Sequence, residues 1–279
     1  MVRIFRKRFD FSKIIPNRNI SSLISVVVND SSGIATVSLQ KPPVNTLNSE
    51  ILEELSATIT NLEKEKARGF ILTSSRDGVF SGGLDLFEIY KQHDKERMKR
   101  YWNVVRQTWM KLSTTSYPTA AVINGHAPAG GCLFSIACEY RVMTKNYRIG
   151  GNETVVGLVA PVWFMERMRD LIGFRQTEMA FTTGQLFTTE EALSLGLVDD
   201  MVNNKEEGIS KAEAFIKKFD KIPSRARSLT KKLAKKEMLG KMIREEELDT
   251  KHFVHYNSKQ ETQEIIGNYL KGIKSRSKA

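Results

Sequence analysis

Residues 69–86 read GFILTSSRDGVFSGGLDL, and residues 120–133 read AAVINGHAPAGGCL. Each stretch carries a short apolar run, residues 70–73 in one and 120–123 in the other, into a glycine-bearing loop, residues 79–84 and 125–131. Short apolar runs bounded by glycine read as buried strands. Where such a strand passes through paired glycines toward a helical pattern, backbone N–H groups are left free to face a ligand, and such places bind negatively charged oxygen. Gly82-Gly83 and Gly130-Gly131 are both so placed. Either pair alone would also serve as a tight turn; two in succession favour the ligand reading.

Working outward, residues 24–28 and 34–39 flank Asp30-Ser31-Ser32-Gly33 and predict a hairpin with a glycine turn. Ile51, Leu52, Leu55, Ile59 and Leu62 share one helical face, with Asn48 or Ser49 as the cap. Further helices are predicted over 98–112, 133–138 and 161–172, with an extended segment at 140–143. Thr188 and Glu191 make a capping box, and Gly196 ends that helix. Beyond about Asp200 the strand signals fade into charged helices over 205–219, 225–238 and 243–269. The class is α/β, with a main body at 23–200 and a helical region at 201–279.

Residues 1–22 stand apart: Arg3, Arg6, Lys7, Arg8, Lys13 and Arg18 face the single acid Asp10, with Phe5, Phe9, Phe11 and Ile14 interleaved. This is the composition of a mitochondrial transit segment, the alternative being a basic tail. It implies delivery to the mitochondrial matrix. No stretch approaches the roughly eighteen apolar residues needed to span a bilayer. The net charge of +11 favours polyanionic partners without choosing among nucleic acid, anionic lipid and a phosphate-bearing cofactor. Cys132 and Cys138 are too far apart in sequence for a zinc knuckle and read as buried thiols. The four histidines, His93, His126, His252 and His255, supply no metal set.

Asn152-Glu153-Thr154 precedes Val155, Val156, Leu158, Val159 and Ala160, so Glu153 is the one carboxylate in an apolar segment. Burial disfavours the charged form and moves a glutamate toward neutrality, which suits a group that takes and returns a proton at pH 7. A solvent-facing glutamate at a helix start is the plainer alternative.

Phe80-Ser81-Gly82-Gly83-Leu84-Asp85-Leu86, then Pro128-Ala129-Gly130-Gly131-Cys132, then Asn152-Glu153-Thr154 resemble the crotonase superfamily of acyl-CoA enzymes in order and spacing. The likeness covers about residues 23 to 275. It implies a spiral core of repeated ββα turns with C-terminal helices that build a homotrimer. It also implies an oxyanion hole from the backbone N–H groups of Leu84 and Gly130, with Glu153 as the catalytic acid and base. Contacts to an acyl-CoA substrate then fall at Gly82, Gly83, Leu84, Asp85, Leu86, Gly130 and Asn152, and Lys41 is a candidate for the coenzyme A phosphates. No separate cofactor is implied, because coenzyme A belongs to the substrate.

The family's hydratases use a second glutamate directly after the Gly-Gly-Cys of the second loop, where this chain has Leu133. An isomerase that moves a 3-enoyl double bond to the 2-position in unsaturated fatty acid β-oxidation needs no such acid, and that is the expected activity. A hydratase is the nearest rival. A different class is a basic RNA-binding protein on the same scaffold, using Arg225, Arg227, Lys231, Lys232, Lys235 and Lys236, although no nucleic-acid motif with interleaved aromatics accompanies them. Tyr101, Trp102, Trp109, Trp163 and Phe164 either wall an acyl tunnel or pack a core.

Overall fold

Ile24 to Val28 and Ile34 to Leu39 pair antiparallel as β1 (Ile24–Val28) and β2 (Ile34–Leu39), with Val26 opposite Val37. The computed structural model describes residues 22–276, so the leader lies, apart from Ser22, outside the described residues. Helix α1 (Ser49–Lys64) follows, capped by the Asn48 side chain, which accepts from the Ile51 amide at 3.2 Å. Its five apolar positions are all buried.

From there one pattern recurs. β3 (Gly69–Ser74) and β4 (Gly78–Val79) precede α2 (Lys95–Ser113), and β5 (Thr119–Ile123) and β6 (Gly125–Pro128) precede α3 (Gly130–Ser135). β7 (Tyr140–Thr144) and β8 (Arg148–Gly150) then precede α4 (Val162–Ile172) and α5 (Phe174–Thr183). β9 (Phe187–Thr188) leads into α6 (Thr189–Leu195) and β10 (Asp200–Val202). In each of the three recurring pairs the first strand joins a six-stranded sheet, ordered β1-β2-β3-β5-β7-β10, and the second joins a four-stranded sheet, ordered β4-β6-β8-β9. Neighbours from β2 to β10 in the large sheet run parallel. Successive ββα turns thus advance along both sheets, which is the expected spiral.

The differences from the sequence reading each have a physical cause. Helix α2 begins at Lys95 because Asp94 accepts from the Glu96 and Arg97 amides and caps it. Helix α3 begins at Gly130 and ends at Ser135, earlier than the 133–138 expected; all six of its residues are buried, so no amphipathic phase marks its ends. Residues 125–128, expected as loop, form β6, pairing Gly125 with Gly78 and Ala127 with Ile149.

The large sheet also runs on through β10, past the boundary expected at residues 200–201. Helix α7 (Lys205–Lys217) covers its face, with Ala212 and Ile216 packed among Ile71, Val122 and Val142. The helical region apart from the sheet starts with α8 (Ser224–Ala234), followed by α9 (Lys236–Arg244), α10 (Glu246–Asn257) and α11 (Gln260–Arg276). The single helix expected over 243–269 is broken because α10 docks on α2. There Trp102 stacks on Phe253 at 4.1 Å and donates to Asp249 at 2.7 Å, while the buried Arg106 guanidinium binds Asp249, Glu246 and Thr250. Trp102, Trp109 and Trp163 are all buried, with Trp163 between the other two at centroid distances of 5.9 and 5.1 Å.

Glu139 ties α8 to the sheet. It accepts from Arg227 at 2.7 Å, Lys231 at 2.9 Å and the Thr119 amide at 3.1 Å. Burial opposes its ionisation, but Lys231 and Arg227 hold it below the usual carboxylate range. A folded-state pKa below the unfolded value means that this stabilisation is complete above the unfolded carboxylate range and is lost as pH falls through the folded value. Glu139→Gln leaves two buried cations without a counter-charge and is expected to cost about 3 kcal/mol in urea unfolding at pH 7, with the deficit shrinking as the pH is lowered.

Candidate active site

The first glycine loop is fixed on both sides of one free amide. Ser81 Oγ donates to the Asn45 carbonyl at 2.8 Å and accepts from the Gly83 amide at 3.1 Å, and the Gly82 amide donates to the Val44 carbonyl at 2.7 Å. Leu47 N–H then binds the Gly83 carbonyl at 2.9 Å, and Asp85 N–H binds the Leu47 carbonyl at 3.2 Å. Tyr101, buried, adds its hydroxyl to the same Leu47 carbonyl at 2.7 Å. Between these bonds, the Leu84 N–H has no acceptor among the described residues.

Asp85 anchors the end of the loop. Its Oδ2 accepts from Lys41 at 2.8 Å and Thr46 at 3.0 Å, and its Oδ1 accepts from the Phe87 amide at 3.1 Å as the cap of a 3-10 turn at Leu86–Glu88. Burial works against its charge, yet hydrogen bonds from Lys41 and Phe87 hold it below the ordinary carboxylate range. Lys41, a candidate for the coenzyme A phosphates, is ion-paired with Asp85 here. Leu86 packs partly buried against the core.

The second loop delivers its amide from a strained residue. Ala129 has φ 48° and ψ −115°, a region that L-residues seldom occupy, and its own amide is held by the Gly150 carbonyl at 2.8 Å. Gly130 follows as the first residue of α3, where the N–H has no partner within the helix. A Cβ placed on Gly130 would stand 2.8 Å from the Leu84 nitrogen, and one on Gly83 would stand 3.3 Å from the Gly130 nitrogen. The two free amides thus lie side by side, and only glycine permits that approach.

Glu153 opens a 3-10 turn, Glu153–Val156, just after Asn152, whose carbonyl accepts from the Val155 amide at 3.1 Å. The turn is pinned by Thr154 Oγ1 to the Phe181 carbonyl at 2.9 Å and by the Leu158 amide to the Glu153 carbonyl at 2.9 Å. The residue as a whole is partly exposed, but Glu153 Oε2 is sealed from solvent and has no hydrogen-bond partner. Burial raises its pKa to about 7, offset only slightly by its own backbone N–H. After burial, the Glu153 charge is the next cause that raises the Cys132 thiol, so the carboxyl lies within electrostatic reach of α3. At Leu133, 2% exposed, the neighbouring position is apolar, so no second acid stands there.

A site that offers both a buried carboxyl poised near neutrality and two preorganised amides can move a proton on carbon while the amides hold the oxygen that gains charge. The remaining candidates fall elsewhere. His126 is exposed, accepts from the Arg148 amide and lies edge-on to Tyr147. The basic set 225–236 is not one open face, since Arg227 and Lys231 are buried against Glu139.

The profile of the family described as enoyl-CoA hydratase/isomerase matches residues 29–276. The chain belongs to this family. It is 38% identical to mouse "Enoyl-CoA delta isomerase 1, mitochondrial" over 256 residues, covering 91% of this chain and 88% of the relative. It is 37% identical to the human protein of the same name, covering 91% and 84%. Identity to the short-chain-enoyl-CoA hydratase of Clostridium acetobutylicum is 27%, over 66% of this chain and 71% of the relative. Among solved structures, human mitochondrial delta3-delta2-enoyl-CoA isomerase superposes with a TM-score of 0.88 at 37% identity, over 91% of this chain and 99% of that one.

Family membership explains the fold. The sequence reading missed Asn45, Ser81 and Tyr101 as supports of the first loop, and the only local sign of them is a polar residue in an apolar setting.

Gly130→Ala is expected to push the Leu84 amide out of position. With an acyl-CoA substrate, kcat should fall about 100- to 1000-fold, the loss expected for one oxyanion donor, while the circular dichroism spectrum stays unchanged.

Proposed function

We propose that this protein is a Δ3,Δ2-enoyl-CoA isomerase of unsaturated fatty acid oxidation, moving a 3-cis or 3-trans double bond to 2-trans. The observation that carries the proposal is the dry, unpartnered Glu153 carboxyl in a chain that also pairs the free Leu84 and Gly130 amides, with Leu133 in place of a second acid. The names of the mouse and human relatives that match nine-tenths of the chain agree with it.

The mechanism follows from where charge goes. Ionised Glu153 removes a C2 proton from a 3-enoyl thioester, and the electrons flow through the conjugated system onto the thioester oxygen. Leu84 and Gly130 N–H groups hold that oxygen and need no reorganisation to do so. The resulting dienolate is nucleophilic at C4 as well as C2. Glu153, now protonated, delivers the proton to C4, giving the conjugated product and restoring the carboxylate. Gly82, Gly83, Asp85, Leu86 and Asn152 shape the approach to these groups. Coenzyme A arrives with the substrate, and no further cofactor enters.

Hydration needs an activated water, and a hydratase in this family would hold it with a second glutamate at the position of Leu133. The relatives named as mitochondrial support the same compartment here, with the matrix as the site of action. A homotrimer is proposed because Leu229, Leu233, Ile243 and Leu248 on α8 to α10 are each more than half exposed, an apolar surface that a second and third copy would cover. Light scattering should then return about three times the 31.7 kDa of one chain; a monomer mass at assay concentration would exclude the trimer.

Glu153→Gln is expected to lower turnover of 3-enoyl-CoA at least about 100-fold with little change in thermal stability. For the wild type, the base must be ionised and its folded pKa is raised to about 7. kcat/KM should therefore be half-maximal near pH 7, falling tenfold per unit below and levelling above. Full turnover by the Gln variant would show that another group carries the proton.

A further inference from the structure

Five cations gather where α3, α4, α8 and β7 meet: Arg141, Arg167, Arg227, Lys231 and Lys235. Two carboxylates answer them. Glu139 takes both Arg227 and Lys231, and Asp199 takes Arg141 at 2.8 Å. Arg167 and Lys235 make no ion pair among the described residues. Lys235 Nζ donates to the Ser113 carbonyl, at the end of α2, at 3.1 Å. Arg167 Nε donates to the Ile136 carbonyl, at the end of α3, at 3.0 Å, which leaves its two terminal nitrogens without an acceptor. Asp170, on the next turn of α4, is exposed and bonds neither.

Helix C-termini offer each cation at most about half a negative charge, which balances neither the Arg167 guanidinium nor the protonated form of Lys235. Both side chains are partly buried, so water compensates them incompletely. The imbalance is felt by the groups themselves: burial first, then Arg167 and Lys231, bring Lys235 down to about 7, and burial with Arg141 lowers Arg167. Both residues keep some exposure, and the unpartnered terminal nitrogens of Arg167 are not sealed from solvent.

We propose that Arg167 and Lys235 together bind a small oxyanion of the phosphate class. The guanidinium fork with two free terminal nitrogens suits two oxygens of such a group, and the Lys235 ammonium, four residues beyond Lys231 of the same cluster, suits a third. This site lies at the C-terminal end of α3, whereas Gly130 occupies the N-terminal end, so the anion does not occupy the position of the thioester.

The probe is inorganic phosphate, added to the full-length protein at constant ionic strength against chloride and followed by thermal unfolding. A saturable rise of roughly 3 °C at about ten times the half-saturating concentration is expected. Arg167→Gln and Lys235→Gln should each abolish the rise, whereas Lys95→Gln, a surface change elsewhere, should leave it intact. In phosphate-free buffer Lys235→Gln should melt no lower than wild type, because it removes a repelled charge. A residue that merely capped α2 would melt lower on substitution and leave the phosphate response unchanged. Should the variants fail to fold, the amine of Lys235 in the wild type, followed by NMR, should titrate at higher pH when phosphate is present. No saturable rise, a rise that survives both substitutions, or an unmoved Lys235 titration overturns the proposal.

Discussion

The rest of the site depends on the approach of two backbones, at Gly83-Leu84 and at Ala129-Gly130. A side chain on Gly130 would press on the Leu84 nitrogen at 2.8 Å, and the neighbouring strands are as close: a Cβ on Gly125 would sit 2.1 Å from the Val79 nitrogen. Both loops therefore leave from strands, β4 and β6, that are themselves paired at glycine. The small sheet is short because its task is local. It sets two loop entrances at one spacing, and the large sheet with its helices holds that spacing against the repulsion of two parallel amide dipoles. Ala129 carries part of the cost as an unfavourable backbone conformation, retained because the Gly150 carbonyl holds its amide on one side and α3 begins on the other.

Glu153 is held by the same means from the opposite direction. A Cβ on Gly151 would stand 2.2 Å from the Phe181 ring, and one on Gly157 would stand 2.7 Å from Ile265 of α11. The catalytic turn is thus packed between α5 and the last helix of the chain. Helix α11 is in turn placed by α10, which Trp102 and Arg106 fasten to α2. Burial raises the Glu153 pKa, and the helices that pack about its turn, α5 and α11, are held by partners distant in sequence. A shift from about 4.5 to about 7 corresponds to on the order of 3 kcal/mol against the charged form, and that energy is supplied by packing far from Glu153 in sequence.

This division also explains what could be read from the residues. The two glycine loops, the hairpin, α1 and the acid in apolar company are local patterns: a turn needs glycine, a buried helix face repeats every three to four residues, and Glu153 is alone among valines. Their order and spacing carried the family resemblance. The pieces that stayed hidden are those decided by distant partners. Helix α3 is buried all round and so has no phase; β6 is a strand only because β4 and β8 flank it; the breaks at Glu245 and Ser258 follow from docking on α2. Lys41 looked available for phosphate because nothing near it in sequence suggests Asp85, forty-four residues on, as its partner.

The replacement of an acid by Leu133 acquires meaning only in this setting. Trp109 donates to the Leu133 carbonyl at 2.9 Å and its ring packs on Trp163, so the backbone at 133 is held as firmly as a catalytic position would be, while its side chain is apolar. An acid close enough to Glu153 to share this dry site would titrate with it as a pair, one of the two kept protonated. With leucine, Glu153 titrates without a neighbouring acid at that position, and no group there orders a water between it and a substrate. In the proposed reaction, a proton taken from carbon then has no acceptor at that position other than the same carboxylate or the substrate itself. The consequence for that reaction is retention: the dry wall that raises the pKa of Glu153 also keeps its proton from exchanging with solvent before it reaches the second carbon.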